Sequence, residues 1–132
     1  MRKIILASHG KLAAGMKNTI EMLAGKNDNL LAYCGYVDGN DDINEYLRPI
    51  IEDNDEVIII TDLLGGSINK EAVKYLSEPN VYVVCGMNVA LILNIVLSTE
   101  DNVECLIQRS ISESCTMTMM MKLETDVADE EF

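Results

Sequence analysis

At 132 residues, 48% of them hydrophobic and 24% charged, the chain is of a size and composition that buries one globular core without disulfides or metal ions. Ten basic against 22 acidic residues leave a formal charge of −12, which argues against a nucleic acid partner, because such binding needs clustered Lys and Arg to displace counterions. The four cysteines, at 34, 85, 105 and 115, form no CxxC pair and have no histidine near them in sequence; they read as reduced, buried thiols, and neither a metal nor a cofactor is expected.

The opening "MRKIILASHG" is too short an apolar run for a signal peptide and no small-residue cleavage site follows it. Its core, "KIILA" (3–7), has the uninterrupted apolar character of a strand covered on both faces. The run stops at Ser8-His9-Gly10, and His9 is the only histidine in the chain. A helical pattern follows in "LAAGMKNTIEMLAG" (12–25), where Leu12, Met16, Ile20 and Leu23 are expected on the buried face and Gly25 as the terminator.

"LLAYCGY" (30–36) is the second strand signal. "DDINEYLRPIIEDN" carries a helical stripe of Ile43, Tyr46, Leu47, Ile50 and Ile51; Pro49 inside it predicts a kink or an early end. "EVIIIT" (56–61) is the third strand and leads into "TDLLGGSIN". "SINKEAVKYLSEP" reads as a helix capped by Ser67 and stopped before Pro79. "VYVVC" (81–85) is the fourth strand. The apolar segment "NVALILNIVLS" spans 11 residues, well short of the roughly 20 that a membrane helix requires. The chain therefore reads as cytoplasmic, with no membrane insertion. "DNVECLIQRSIS" groups Val103, Leu106, Ile107 and Ile111 on a helix. In "TMTMMMKLE", Met117, Met119, Met121 and Leu123 alternate with Thr116, Thr118, Met120 and Lys122, and period two predicts a short final strand. Core or dimer packing is the favoured use of those methionines over a metal surface. Residues 1–123 are expected to form one domain, and the acidic 124–132 a frayed tail.

Strands alternating with helices imply βαβ crossovers, an α/β three-layer sandwich and a mainly parallel sheet. With strand order 2-1-3-4, the first and third strands are neighbours where the winding reverses, the place where open sheets bind ligands. That order brings His9 and Asp62 to adjacent strand tips. A carboxylate accepting a hydrogen bond from one imidazole nitrogen fixes the tautomer and leaves the other nitrogen as a nucleophile. Backbone N–H groups of Gly65 and Gly66, with Ser67, would cradle an anion at the start of a helix. Nucleophile, orienting carboxylate and anion cradle together describe phosphoryl transfer. "DLLGGS" is no Walker motif and "HGKLAAG" no dinucleotide fingerprint.

"IILASHGKLAAGMKNTIEMLAG", "VIIITDLLGGSINKEA" and "VVCGMNVALILNIVL", in that order and spacing, resemble the mannose-family enzyme IIA component of the bacterial sugar phosphotransferase system (PTS) over roughly residues 1 to 122. The resemblance implies that His9 accepts a phosphoryl group from phospho-HPr and passes it to a histidine on a IIB domain or protein, with Asp62 orienting the ring. It also implies that Ser67 and the Gly65 and Gly66 N–H groups hold phosphate oxygens, and that the protein is a homodimer with an antiparallel edge strand near the C-terminus, which the alternating methionine segment would supply. Gly10, Leu63 and Leu64 are expected at the docking surface. Ile68 and Ala90 stand where family members often carry proline. Two other readings compete: the phosphoryl-donor domain of a dihydroxyacetone kinase system, and a non-enzymatic flavodoxin-like module binding a nucleotide or flavin.

Overall fold

The computed structural model describes residues 1–123; the expected acidic tail, 124–132, lies outside the described residues. Four strands, β1 (Arg2–His9), β2 (Leu30–Gly35), β3 (Glu56–Thr61) and β4 (Val81–Cys85), pair throughout in parallel in the order β2-β1-β3-β4. The register sets Ser8 against Cys34 on one side of β1 and Ala7 against Thr61 on the other. The helices are α1 (Leu12–Ala24), α2 (Ile43–Asp53), α3 (Ser67–Val73), α4 (Val89–Leu97) and α5 (Val103–Cys115), with a single 3-10 turn, Lys74–Ser77, extending α3.

Alternation along the two central strands decides the layering, since successive side chains point to opposite faces. Ile4 and Leu6 of β1 and Ile58 and Ile60 of β3 pack with α1, α4 and α5 through Ala13, Ile20, Leu91, Ile95 and Leu106. Ile5, Ala7, Val57 and Ile59 pack with α2 and α3 through Leu47, Ile51, Ile68 and Ala72. Both faces of the sheet are therefore covered, which is why the central strands read as unbroken apolar runs. No helix among the described residues is long and apolar enough to cross a membrane.

Four expectations are corrected. Pro49 does not end its helix: α2 continues to Asp53. Pro49 removes one N–H and so frees the carbonyl of Glu45, but both residues are exposed to water, while Ile43, Leu47 and Ile51 clamp the helix to the sheet. On α1 the buried residues are Ala13 and Ile20, with Met16 packed against the core; Leu12 and Leu23 face outward. Cys105 and Cys115 are exposed rather than buried, and all four thiols are free. The methionine segment forms no strand: residues 118–123 carry no regular structure. Met119 and Met120, which would face opposite ways in a strand, are both exposed, so alternation here sorts no buried face from a solvent face.

Candidate phosphoryl-transfer site

β1 runs into α1 on one face of the sheet and β3 into α3 on the other. The chain therefore splays apart just beyond the last pair of the β1–β3 ladder, Ala7 with Thr61. The resulting crevice is the switch point of the sheet. Ser8 anchors the first loop from below: it is fully buried, its hydroxyl accepts the Ala13 N–H at 2.8 Å and so caps α1, and it donates to the Gly10 carbonyl at 3.3 Å. Gly10 turns the chain at φ +61°, a left-handed value that a side chain would oppose.

Where the ladder stops, the Asp62 side chain takes over. A single oxygen, Oδ2, accepts both the main-chain N–H of His9 at 2.8 Å and the imidazole Nδ1–H at 2.9 Å. Those two bonds fix the ring relative to its own backbone. Burial of Asp62 works to raise its carboxyl pKa, but the backbone N–H, the imidazole hydrogen bond and the charge of His9 together outweigh it. The net result holds the group below its ordinary value of 3.8. An ionised carboxylate only accepts, so Nδ1 carries a ring proton, and in the neutral ring Nε2 keeps its lone pair. Asp62 Oδ1 is buried and has no hydrogen-bond partner among the described residues. The His9 side chain is 43% exposed and that of Asp62 12%, so the ring reaches solvent while the carboxylate beside it is largely shielded.

Nε2 lies 3.1 Å from Ser67 Oγ. Ser67 is the first residue of α3 and does not cap it. The N-cap is Gly66, and the serine hydroxyl turns instead to His9 and to the Tyr36 hydroxyl, 2.8 Å away. The two glycines also differ from expectation. The Gly65 N–H donates to Asn69 Oδ1 at 3.1 Å and the Gly66 N–H to the Leu63 carbonyl at 3.1 Å, so both are engaged within the loop. What the glycines supply is shape. Gly65 sits at φ +76°, and a Cβ on Gly66 would stand 3.2 Å from His9 Cε1. The first intrahelical bond of α3 runs from the Lys70 N–H to the Gly66 carbonyl, leaving the N–H groups of Ser67, Ile68 and Asn69 ahead of it.

Two contributors escaped the sequence reading. Buried Asn69 bridges the Gly65 N–H and, through Nδ2, the Thr61 hydroxyl at 2.9 Å, tying the loop to the end of β3. Its position three residues into a helix gave no signal of that. Tyr36 was readable in part, as the last residue of the strand run that borders β1. Leu63 and Leu64 stand exposed at 61% and 76% on the lip of the crevice. Ile68 and Ala90 occupy the second positions of α3 and α4; Ile68 is buried over Gly35, and neither touches the His9–Asp62 pair. A cavity of about 340 Å³ between α2 and the 3-10 turn is lined by Arg48, Tyr75 and neighbours but not by His9. The imidazole sits on open surface, where another protein can reach it.

Comparison with known proteins supplies the family and the fold likeness. Residues 3–109 match the family model EIIA-man, the PTS system fructose IIA component. A candidate phosphoenolpyruvate-dependent sugar phosphotransferase system permease from Klebsiella pneumoniae is 33% identical, with 90% of each chain covered and a TM-score of 0.83. The PTS IIA protein associated with the fucose utilization operon of Streptococcus pneumoniae is 28% identical over 96% of each chain, with a TM-score of 0.69. The mannose/sorbose-specific IIA subunit from Enterococcus faecalis shares the fold at 24% identity, covering 93% of this chain and 96% of that one, with a TM-score of 0.82. Comparison with curated proteins gives no match. With a His–Asp pair at the switch point and a family model that spans most of its length, the chain belongs to the EIIA-man family, the mannose/fructose-type IIA components of the PTS.

Proposed function

We propose that the protein is a phosphocarrier: His9 accepts a phosphoryl group from phospho-HPr and delivers it to a IIB domain or protein during sugar uptake. The observation that carries this reading is the 2.9 Å contact between His9 Nδ1 and Asp62 Oδ2, which in the neutral ring keeps the proton on Nδ1 and the lone pair on Nε2. In the forward step the Nε2 lone pair forms a bond to phosphorus while the bond from phosphorus to the donor breaks, its electron pair leaving with the donor. Nδ1 keeps its proton, so the adduct ring is cationic, and Asp62 neutralises it from 2.9 Å away. The Ser67 hydroxyl swings its proton from Nε2 to a phosphoryl oxygen. The leading N–H groups of α3 add further donors, while Gly65 and Gly66 keep the loop close to the ring. Delivery runs the same steps in reverse toward the acceptor.

Leu63 and Leu64, beside the turn at Gly10, are the proposed docking lip, an apolar rim around the reacting nitrogen. We also assign the exposed methionine row to pairing with a second copy; a monomer in sedimentation at micromolar concentration would remove that assignment. The transfer itself is tested by incubating the chain with enzyme I, HPr and phosphoenolpyruvate. The expected product is about 80 Da heavier, with an acid-labile phosphate mapped to His9. A His9→Ala protein that still takes up the label overturns the reading.

A further inference from the structure

Beyond that transfer, and resting on it, we propose that Tyr36 is a positioning residue whose hydroxyl aims the proton of Ser67 at the reacting nitrogen of His9.

The direction of each hydrogen bond follows from the one before it. Asp62 accepts the hydrogen bond from Nδ1–H, so in the neutral ring Nε2 can only accept. Its neighbour at 3.1 Å is Ser67 Oγ, which must therefore donate. Serine has one hydroxyl proton, and with that proton committed to Nε2 the Oγ is an acceptor toward Tyr36 Oη at 2.8 Å. The result is one ordered chain: Tyr36 O–H to Ser67 Oγ, Ser67 O–H to His9 Nε2, His9 Nδ1–H to Asp62. Without the phenol, the Ser67 hydroxyl is free to turn away and the nitrogen loses its fixed donor. Once a phosphoryl group is attached, the same bond from Tyr36 holds Oγ in place while its proton moves to a phosphoryl oxygen.

The backbone shows that the placement is imposed. Tyr36 sits at φ +64°, a left-handed conformation that a bulky residue avoids. The turn that holds it there is closed by the Tyr36 N–H donating to the Asn40 carbonyl at 2.8 Å and by Asn40 Nδ2 donating to the Cys34 carbonyl at 3.0 Å. It brings the phenol, which remains 56% exposed, beside the crevice, with its ring centroid 5.8 Å from that of His9. Strain kept at a functional crevice is the pattern expected of pre-organisation.

Two measurements test this. In a double-mutant cycle on phosphoryl acceptance, Tyr36→Phe is expected to lower the transfer rate about five-fold, the worth of one neutral hydrogen bond, with the KM for the phospho-donor unchanged. In the Ser67→Ala background the same substitution should add nothing. An additive effect, or a change confined to KM, overturns the proposal and makes Tyr36 a docking residue or a spacer. The second readout needs no phosphoryl donor: the nitrogen-15 resonances of the unphosphorylated His9 ring. Tyr36→Phe and Ser67→Ala are each expected to move Nε2 and leave Nδ1 in place, whereas an unmoved Nε2 in Tyr36→Phe refutes the relay. If the wild-type chain accepts no phosphate while Nε2 still responds, the phosphocarrier reading fails and the positioning role stands.

Discussion

The same two strands, β1 and β3, join charged groups at both of their ends, and the two ends do different things. At the start of the strands Arg2 pairs with Glu56 at 2.9 Å, directly across the ladder, and the chain's N-terminal ammonium meets Asp55 at 2.6 Å. Arg2 also donates to the Glu100 carbonyl, so this end consists of ion pairs and a carbonyl contact near water, of the kind that contribute about 0–1 kcal/mol each. At the far end His9 and Asp62 also make a 2.9 Å contact, but the second ring nitrogen is held by a serine hydroxyl at 3.1 Å and Asp62 Oδ1 has no partner among the described residues. The first kind of pair staples a fold, whereas one whose second nitrogen meets a movable hydroxyl can exchange that contact for chemistry.

The largest expected effect breaks the far end. Asp62→Asn removes the charge that holds the Nδ1 proton and matches the cationic adduct, and it should slow phosphoryl acceptance about 10²- to 10⁴-fold in a rapid-quench assay, leaving the melting temperature within a few degrees. Gly66→Ala places a methyl 3.2 Å from His9 Cε1, so the ring or loop must give by a few tenths of an ångström. A few-fold slower transfer with unchanged partner affinity is expected from the same assay.

A carbon-13 titration of Asp62 sharpens the contrast without touching transfer. Because the folded carboxyl pKa is depressed below 3.8, its contribution to stability is complete above the unfolded value and fades as pH falls through the lower, folded one. In His9→Ala the imidazole bond and charge are gone while the burial that opposes ionisation remains, so the midpoint is expected to rise. The smallest effect belongs to the near end: Arg2→Ala should cost about 1 kcal/mol in urea denaturation and leave phosphoryl transfer unaltered.

Much of this was readable from the residues because burial writes itself into pattern. Strands covered on both faces are continuous apolar runs, so all four strands stood out, and the winding rule then set His9 beside Asp62. What stayed hidden depends on contacts that pattern does not encode. Leu12 and Leu23 turn outward because the small Ala13, with Ile20, takes the buried face of α1. That Gly65 and Gly66 would spend their N–H groups inside the loop required knowing that Asn69 reaches back to Gly65 and that the Leu63 carbonyl turns to Gly66. The left-handed turn at Tyr36 has no sequence marker of its own, because glycine is the residue that usually announces such a turn. Alternation in the methionine row predicted a strand, but alternation acquires meaning only where an edge is available to pair with.

Asn69 has one more consequence. By pinning Gly65 to the Thr61 hydroxyl, it sets the receiving loop before any cargo arrives, so loading and unloading need no spring to be wound and released. A courier that must hand its parcel onward almost downhill of nothing benefits from such stiffness, since free energy absorbed in folding a lid at pickup would have to be recovered at delivery.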